Sequence, residues 1–190
     1  GFAVKGTKPK PVLVRAIGPE LLRLFNLTEA LADPVLQIVH ENGTVLQSSD
    51  DWSEGANVQE LEDAFLKVGA FALPRGSRDA AVLMELPPGP YTAKVAGKDG
   101  STGVALVEAY DLDLDADNDR LVNISTRALV GAGNKILIPG LVVDGTAPKR
   151  LLLRAVGPSL ATTFGVSGTL EDPRLEVLDA KGEAIFSNDD

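Results

Sequence analysis

Pro11-Val12-Leu13-Val14-Arg15-Ala16-Ile17-Gly18-Pro19 and, 139 positions later, Arg150-Leu151-Leu152-Leu153-Arg154-Ala155-Val156-Gly157-Pro158 are two versions of one stretch. Successive side chains of a strand alternate, so Val12, Val14 and Ala16 share one face and Leu13, Arg15 and Ile17 the other. Both faces are largely apolar, the pattern of a strand covered on both sides. Gly-Pro then opens a helix, because proline is tolerated at the first helical position. Leu21, Leu22, Leu24 and Phe25 supply its apolar residues, and Leu160 and Phe164 recur in the second version.

The offset holds without a gap from Gly1/Gly140, through Asp33-Pro34/Asp172-Pro173, to Asp50-Asp51/Asp189-Asp190, which makes internal repetition the primary organising fact. Within a unit, Val35–His40 alternates as a strand into Glu41-Asn42-Gly43-Thr44, and Asn-Gly is a strong hairpin signal. Only the glycine is kept in the second version, as Gly182, which predicts a positive φ there. The spacing of Val58, Leu61, Phe65 and Val68 predicts a helix over Asn57–Val68, with Asn57 and Glu60 as a capping-box variant and Gly69 as the stop. Ala81–Leu86, Tyr91–Ala96 and Val104–Tyr110 read as three consecutive strands of an antiparallel meander, followed by strands at Leu121–Leu129 and Lys135–Val143. The fold class expected is all-β: an antiparallel β-sandwich repeat with one short and one longer helix per unit.

Composition narrows the function classes. Of 190 residues, 44% are hydrophobic and 27 carboxylates outweigh 18 Lys and Arg, so the basic footprint of a nucleic-acid binder is missing and nucleic acid is not an expected partner. The chain has no Cys, which removes disulfides, thiolate metal sites and cysteine nucleophiles. No apolar run reaches the ~18 residues of a spanning helix, and Gly1-Phe2-Ala3-Val4-Lys5 is neither a signal nor a transit peptide, so the chain reads as a mature product or a fragment.

Asp111, Asp113, Asp115, Asp117 and Asp119 form a run whose alternate oxygens suit a hard cation, so calcium is the one candidate ligand and no other cofactor is expected. Ala116 and Val122 stand where an EF-hand loop needs Gly and Glu; the competing reading is an acidic, solvated linker. Arg15 and Arg154 sit between apolar neighbours, where an unpaired charge is too costly to keep. Asp33 or Asp50 is the expected partner of Arg15, and Asp172 or Asp189 that of Arg154. His40 is the only histidine and its counterpart is Asp179, so no catalytic residue is expected and the chain is not read as an enzyme. Glu60, Glu62 and Asp63 read as the wet face of the helix. Trp52, Tyr91 and Tyr110 offer an alternative, a carbohydrate- or other ligand-binding module using Trp52 and nearby Asp.

The run Leu121-Val122-Asn123-Ile124-Ser125-Thr126-Arg127, with Ile136-Leu137-Ile138-Pro139-Gly140, Arg154-Ala155-Val156-Gly157-Pro158 and Ser187-Asn188-Asp189-Asp190, resembles a tandem repeat of large secreted or surface proteins from Verrucomicrobia and related environmental bacteria. Pro87-Pro88-Gly89-Pro90-Tyr91-Thr92 and Gly103–Asp111 extend the likeness over nearly the whole chain, and the meander portion is similar to a sandwich appended to some secreted peptidases. The resemblance implies an extracellular all-β module with no assigned activity, and it brings no catalytic residue. In that repeat a unit begins near Leu121. Residues 1–119 are then a first unit whose opening strands are missing, or supplied by 121–139 or by another chain, and residues 120–190 are the front of a second. The expected role is structural: a stalk, adhesin or filament module, joined to other copies of itself or neighbouring repeats, head-to-tail by strand exchange.

Overall fold

The structure, a computed structural model, describes residues 1–113, 120–133, 135–143 and 146–189. It divides into two units, Gly1–Thr126 and Arg127–Asp190. The first runs β1 (Phe2–Lys5), β2 (Lys10–Ile17), α1 (Pro19–Phe25), β3 (Pro34–His40), β4 (Val45–Ser49), α2 (Val58–Lys67), β5 (Ala80–Leu86), β6 (Gly89–Gly97), β7 (Leu106–Asp111) and β8 (Arg120–Ile124). These strands form two antiparallel sheets, ordered β4-β3-β6-β1-β8 and β5-β2-β7.

β2 is central to the smaller sheet and is covered on both faces. Val12, Val14 and Ala16 enter a cluster with Phe2, Leu36, Ile38 and Tyr91 of the larger sheet and Val82 of β5. On the other face, Leu13 and Ile17 join Leu21, Trp52, Leu61 and Phe65, a second cluster roofed by α2. The alternation of β2 is thus a consequence of having a core on each side, since Val12, Leu13, Val14, Ala16 and Ile17 all leave water.

α1 begins where Gly18 lies so close to Leu31 that a Cβ would collide with the Leu31 carbonyl oxygen. It ends at Asn26 (φ 55°, ψ 33°), a left-handed cap that asparagine tolerates. α2 carries Leu61, Ala64 and Phe65 inward and stops before Gly69 at φ +68°. Asn57 makes no side-chain cap hydrogen bond, so the expected capping box does not form.

Two expectations change. The consecutive strands β5, β6 and β7 are not a meander: β5 and β7 both pair with β2, whereas β6 pairs with β3 and β1 in the other sheet. Pro87 and Pro88 have no N–H to donate and Gly89 takes φ +156°, so the chain crosses between sheets there instead of turning back on itself. The strands expected at Leu121–Leu129 and Lys135–Val143 also change, although residues 120–124 do give the first unit a strand, one of the sources expected above. β8 pairs antiparallel with β1, Phe2 opposite Ile124 and Lys5 opposite Arg120, so these residues belong to the first unit. Of the strand expected over Leu121–Leu129 only the part that has β1 as a partner is strand, and among the described residues none is found at 135–143.

The second unit contains α3 (Pro158–Phe164) and a hairpin of β9 (Leu175–Leu178) with β10 (Ala184–Asn188). α3 and β10 lie 139 positions from α1 and β4, residue for residue. Among the described residues no helix is long and apolar enough to cross a membrane.

Candidate functional site

Arg15 shows what the repeated stretch needs around it. Its side chain is fully buried, and β2–β7 pairing sets it opposite Glu108. Nε and Nη2 donate to Glu108 Oε2 at 2.8 and 2.6 Å, and Nη1 donates to the Phe71 carbonyl at 2.6 Å. The guanidinium carbon lies 4.5 Å from the Phe71 ring centre and 4.9 Å from that of Phe65. Tyr110 donates its hydroxyl to the other Glu108 oxygen at 2.9 Å. Burial, then the Glu108 hydrogen bond and charge, push the Tyr110 phenol up to about 12. Such a cage is what a buried guanidinium requires, because its desolvation is offset only by close, bidentate and otherwise satisfied partners.

The partner of Arg15 is therefore Glu108, not Asp33 or Asp50. Asp33 Oδ2 faces Arg78 Nη1 at 3.4 Å and Lys98 Nζ at 4.0 Å, and Asp50 holds Lys98 Nζ at 2.6 Å. Burial pushes the Asp33 carboxyl above its ordinary range, with Lys98 pulling against it. A second buried cation, Lys10, escaped the sequence reading. Its Nζ donates to Asp111 Oδ1 at 2.9 Å and to the Asp113 carbonyl at 3.0 Å. The first two members of the Asp run are thus committed to a lysine; Asp115, Asp117 and Asp119 lie outside the described residues. Among the described residues no cluster of three or more His, Cys, Asp or Glu is placed to hold a metal ion.

Trp52, Tyr91 and Tyr110 pack against the rest of the first unit. Trp52 is 2% exposed, its ring centre is 5.3 Å from that of Phe65, and Nε1 donates to the Pro74 carbonyl and Ser77 Oγ at 3.2 Å. It offers no face to a sugar. Tyr91 is buried and donates to the Pro87 carbonyl at 2.8 Å. His40 lies edge-on to Tyr91 with ring centres 5.7 Å apart. On α2, Glu62 is gripped by Arg75 at 2.7 and 2.6 Å, which holds its carboxyl below the usual range. Asp79 is buried and accepts from the Gly18 N–H at 2.8 Å, capping α1 from a distant segment.

The second unit repeats the local geometry without these surroundings. A Cβ on Gly157 would meet the Leu170 carbonyl as one on Gly18 meets that of Leu31, and Gly165 at φ 65° ends α3 as Asn26 ends α1. Gly182 at φ 81° turns the β9–β10 hairpin as Gly43 at φ 87° turns β3–β4, so both copies take the expected positive φ. Yet Leu152 is 84% exposed where Leu13 is 0%, and Arg154, Asp172 and Asp189 are exposed. Among the described residues, neither Asp172 nor Asp189 pairs with Arg154, contrary to expectation. An open cleft of about 350 Å³ is lined by Leu153, Arg154, Val156, Phe164 and Leu175. The counterparts of Leu153 and Leu175, Val14 and Leu36, pack there against Ala80 and Val82 of β5.

None of the family models, curated proteins or solved structures compared with this chain matches it.

Proposed function

We propose that this chain is a structural module of a secreted or cell-surface protein, a β-sandwich repeat with a short and a longer helix per unit that builds a stalk, adhesin or filament. What supports the reading is the return of one local geometry at a spacing of 139 residues: the same buried glycine before a helix that starts at proline, the same left-handed helix end and the same glycine turn, first inside a closed core and then on an open one. A catalyst needs convergent polar groups in a sheltered cleft, whereas the buried cations Arg15 and Lys10 are each held by a carboxylate, Glu108 and Asp111, and Asp79 caps Gly18. The resemblance to repeats of secreted bacterial proteins points the same way. Immunogold labelling of producing cells tests it: label on fibres or on the outer surface is the expected result, and label confined to the cytoplasm overturns the reading.

A further inference from the structure

The open face of the second unit carries a specific demand for a partner. In the first unit, charged residues that the second unit keeps take their partners from one stretch, residues 71–113. Lys10 is held by Asp111 and Asp113, Arg15 by Glu108 and the Phe71 carbonyl, Asp33 by Arg78 and Lys98, and Asp50 by Lys98. The Gly18 N–H is likewise capped by Asp79 of the same stretch. The second unit has Lys149, Arg154, Asp172, Asp189 and Gly157 at the corresponding positions, without a counterpart of that stretch. Its apolar residues follow the same rule: Leu152, Leu153, Val156 and Leu175 stand where the first unit buries Leu13, Val14, Ile17 and Leu36. Exposed positions are freer, since Leu22, Arg23 and Leu24 of α1 become Ala161, Thr162 and Thr163.

We infer that the open face is a docking surface for one occupant, a polypeptide segment of a further repeat that carries counterparts of residues 52–126 of this chain. It would pair strands antiparallel on both sides of 149–156, as β5 and β7 flank β2, and set a glutamate opposite Arg154 and a lysine against Asp172 and Asp189. A second copy of this chain does not meet the demand. Each copy has two inserting segments, 10–50 and 149–189, but one receiving set of strands, so exchange among copies leaves one inserting segment per chain uncovered however many assemble. Edge-to-edge antiparallel pairing of two 149–156 segments with Arg150 opposite Arg154 sets like charges against each other, with no carboxylate between Lys149 and Pro158 to offset them.

This inference rests on the structural reading above, and its test is independent of where the protein resides. The chain is compared with a version extended after Asp190 by a copy of its own residues 52–126, Asp190 being the counterpart of Asp51, and, in a second arm, with the chain mixed with residues 52–126 as a separate polypeptide. The readout is amide hydrogen exchange at Leu151–Val156, with Val12–Ile17 as the internal standard. Exchange at Leu151–Val156 slowed by about 1,000-fold or more in either arm, and slowed at least tenfold less when Glu108→Leu is made in the added copy alone, is the expected result. The inference is overturned if Leu151–Val156 stays unprotected in both arms while Val12–Ile17 is protected. It is equally overturned if the unmodified chain protects Leu151–Val156 in a concentration-dependent way, which makes a second copy the occupant, or if Glu108→Leu in the added copy changes nothing.

Discussion

Arg15→Met separates the contribution of a buried ion pair from that of the apolar packing around it. Methionine keeps the stem in the Leu13–Ile17 cluster but leaves Glu108, whose side chain is 17% exposed, with Tyr110 as its remaining donor, and it strips the Phe71 carbonyl of its 2.6 Å donor. Removing one partner of a buried pair costs about 3–5 kcal/mol. At roughly 4 °C per kcal/mol for a unit of this size, the melting temperature falls by about 12–20 °C. Trp52 is the only tryptophan and lies in the first unit's core against Phe65, so its fluorescence reports the unfolding of that unit alone. Adding Glu108→Leu to Arg15→Met recovers most of the loss, because a well-packed apolar substitute for a buried pair is close to neutral. Arg154→Met, at an exposed position, leaves the Trp52 midpoint within about 0.5 kcal/mol. The reasoning is refuted if Arg15→Met costs under 1 kcal/mol, or if the double variant is no more stable than the single one.

Gly18→Ala places a methyl group against the backbone of Leu31, which has no side chain to swing away, and is expected to cost about 3 kcal/mol in urea unfolding. Tyr110→Phe removes the hydroxyl bond to Glu108 and is expected to cost about 1–2 kcal/mol at pH 8. It also changes the alkaline limb. The folded-state pKa of Tyr110 is raised to about 12 from an ordinary 10.0, so its contribution is fully present below pH 10 and is lost as pH rises through about 12. The stability difference between wild type and Tyr110→Phe therefore narrows across that window, which urea midpoints at pH 9, 10 and 11 check.

The burial of β2 was legible in its sequence because alternation with apolar residues on both faces has one cheap solution, a core on each side. For the same reason the need of Arg15 for a carboxylate followed from its neighbours alone. Which carboxylate did not follow. Glu108 lies 93 residues away and meets Arg15 only through the β2–β7 register, which nothing local to Arg15 announces. One signal was present: Glu108 and Tyr110 are two apart on a strand, so they share a face and together make an acceptor backed by a ring. Lys10 was missed because a lysine at a strand end reads as solvated unless its distant Asp111 is known. The meander failed since local turn signals between β5, β6 and β7 say where the chain bends, not which sheet it enters next. The hairpin glycine and the Gly69 stop were legible because a positive φ is a local requirement that leaves a residue-type mark.

The pairing of β1 with β8 has a mechanical consequence. Gly1 and Ser125 are hydrogen-bonded neighbours, the Ser125 N–H donating to the Gly1 carbonyl at 2.8 Å, so the polypeptide enters and leaves the first unit at one point. Tension applied through those two ends pulls the antiparallel strands apart along the direction of their hydrogen bonds, which break in sequence instead of sharing the load. A unit loaded through those ends opens like a zipper at low force, releasing its length strand by strand from that point.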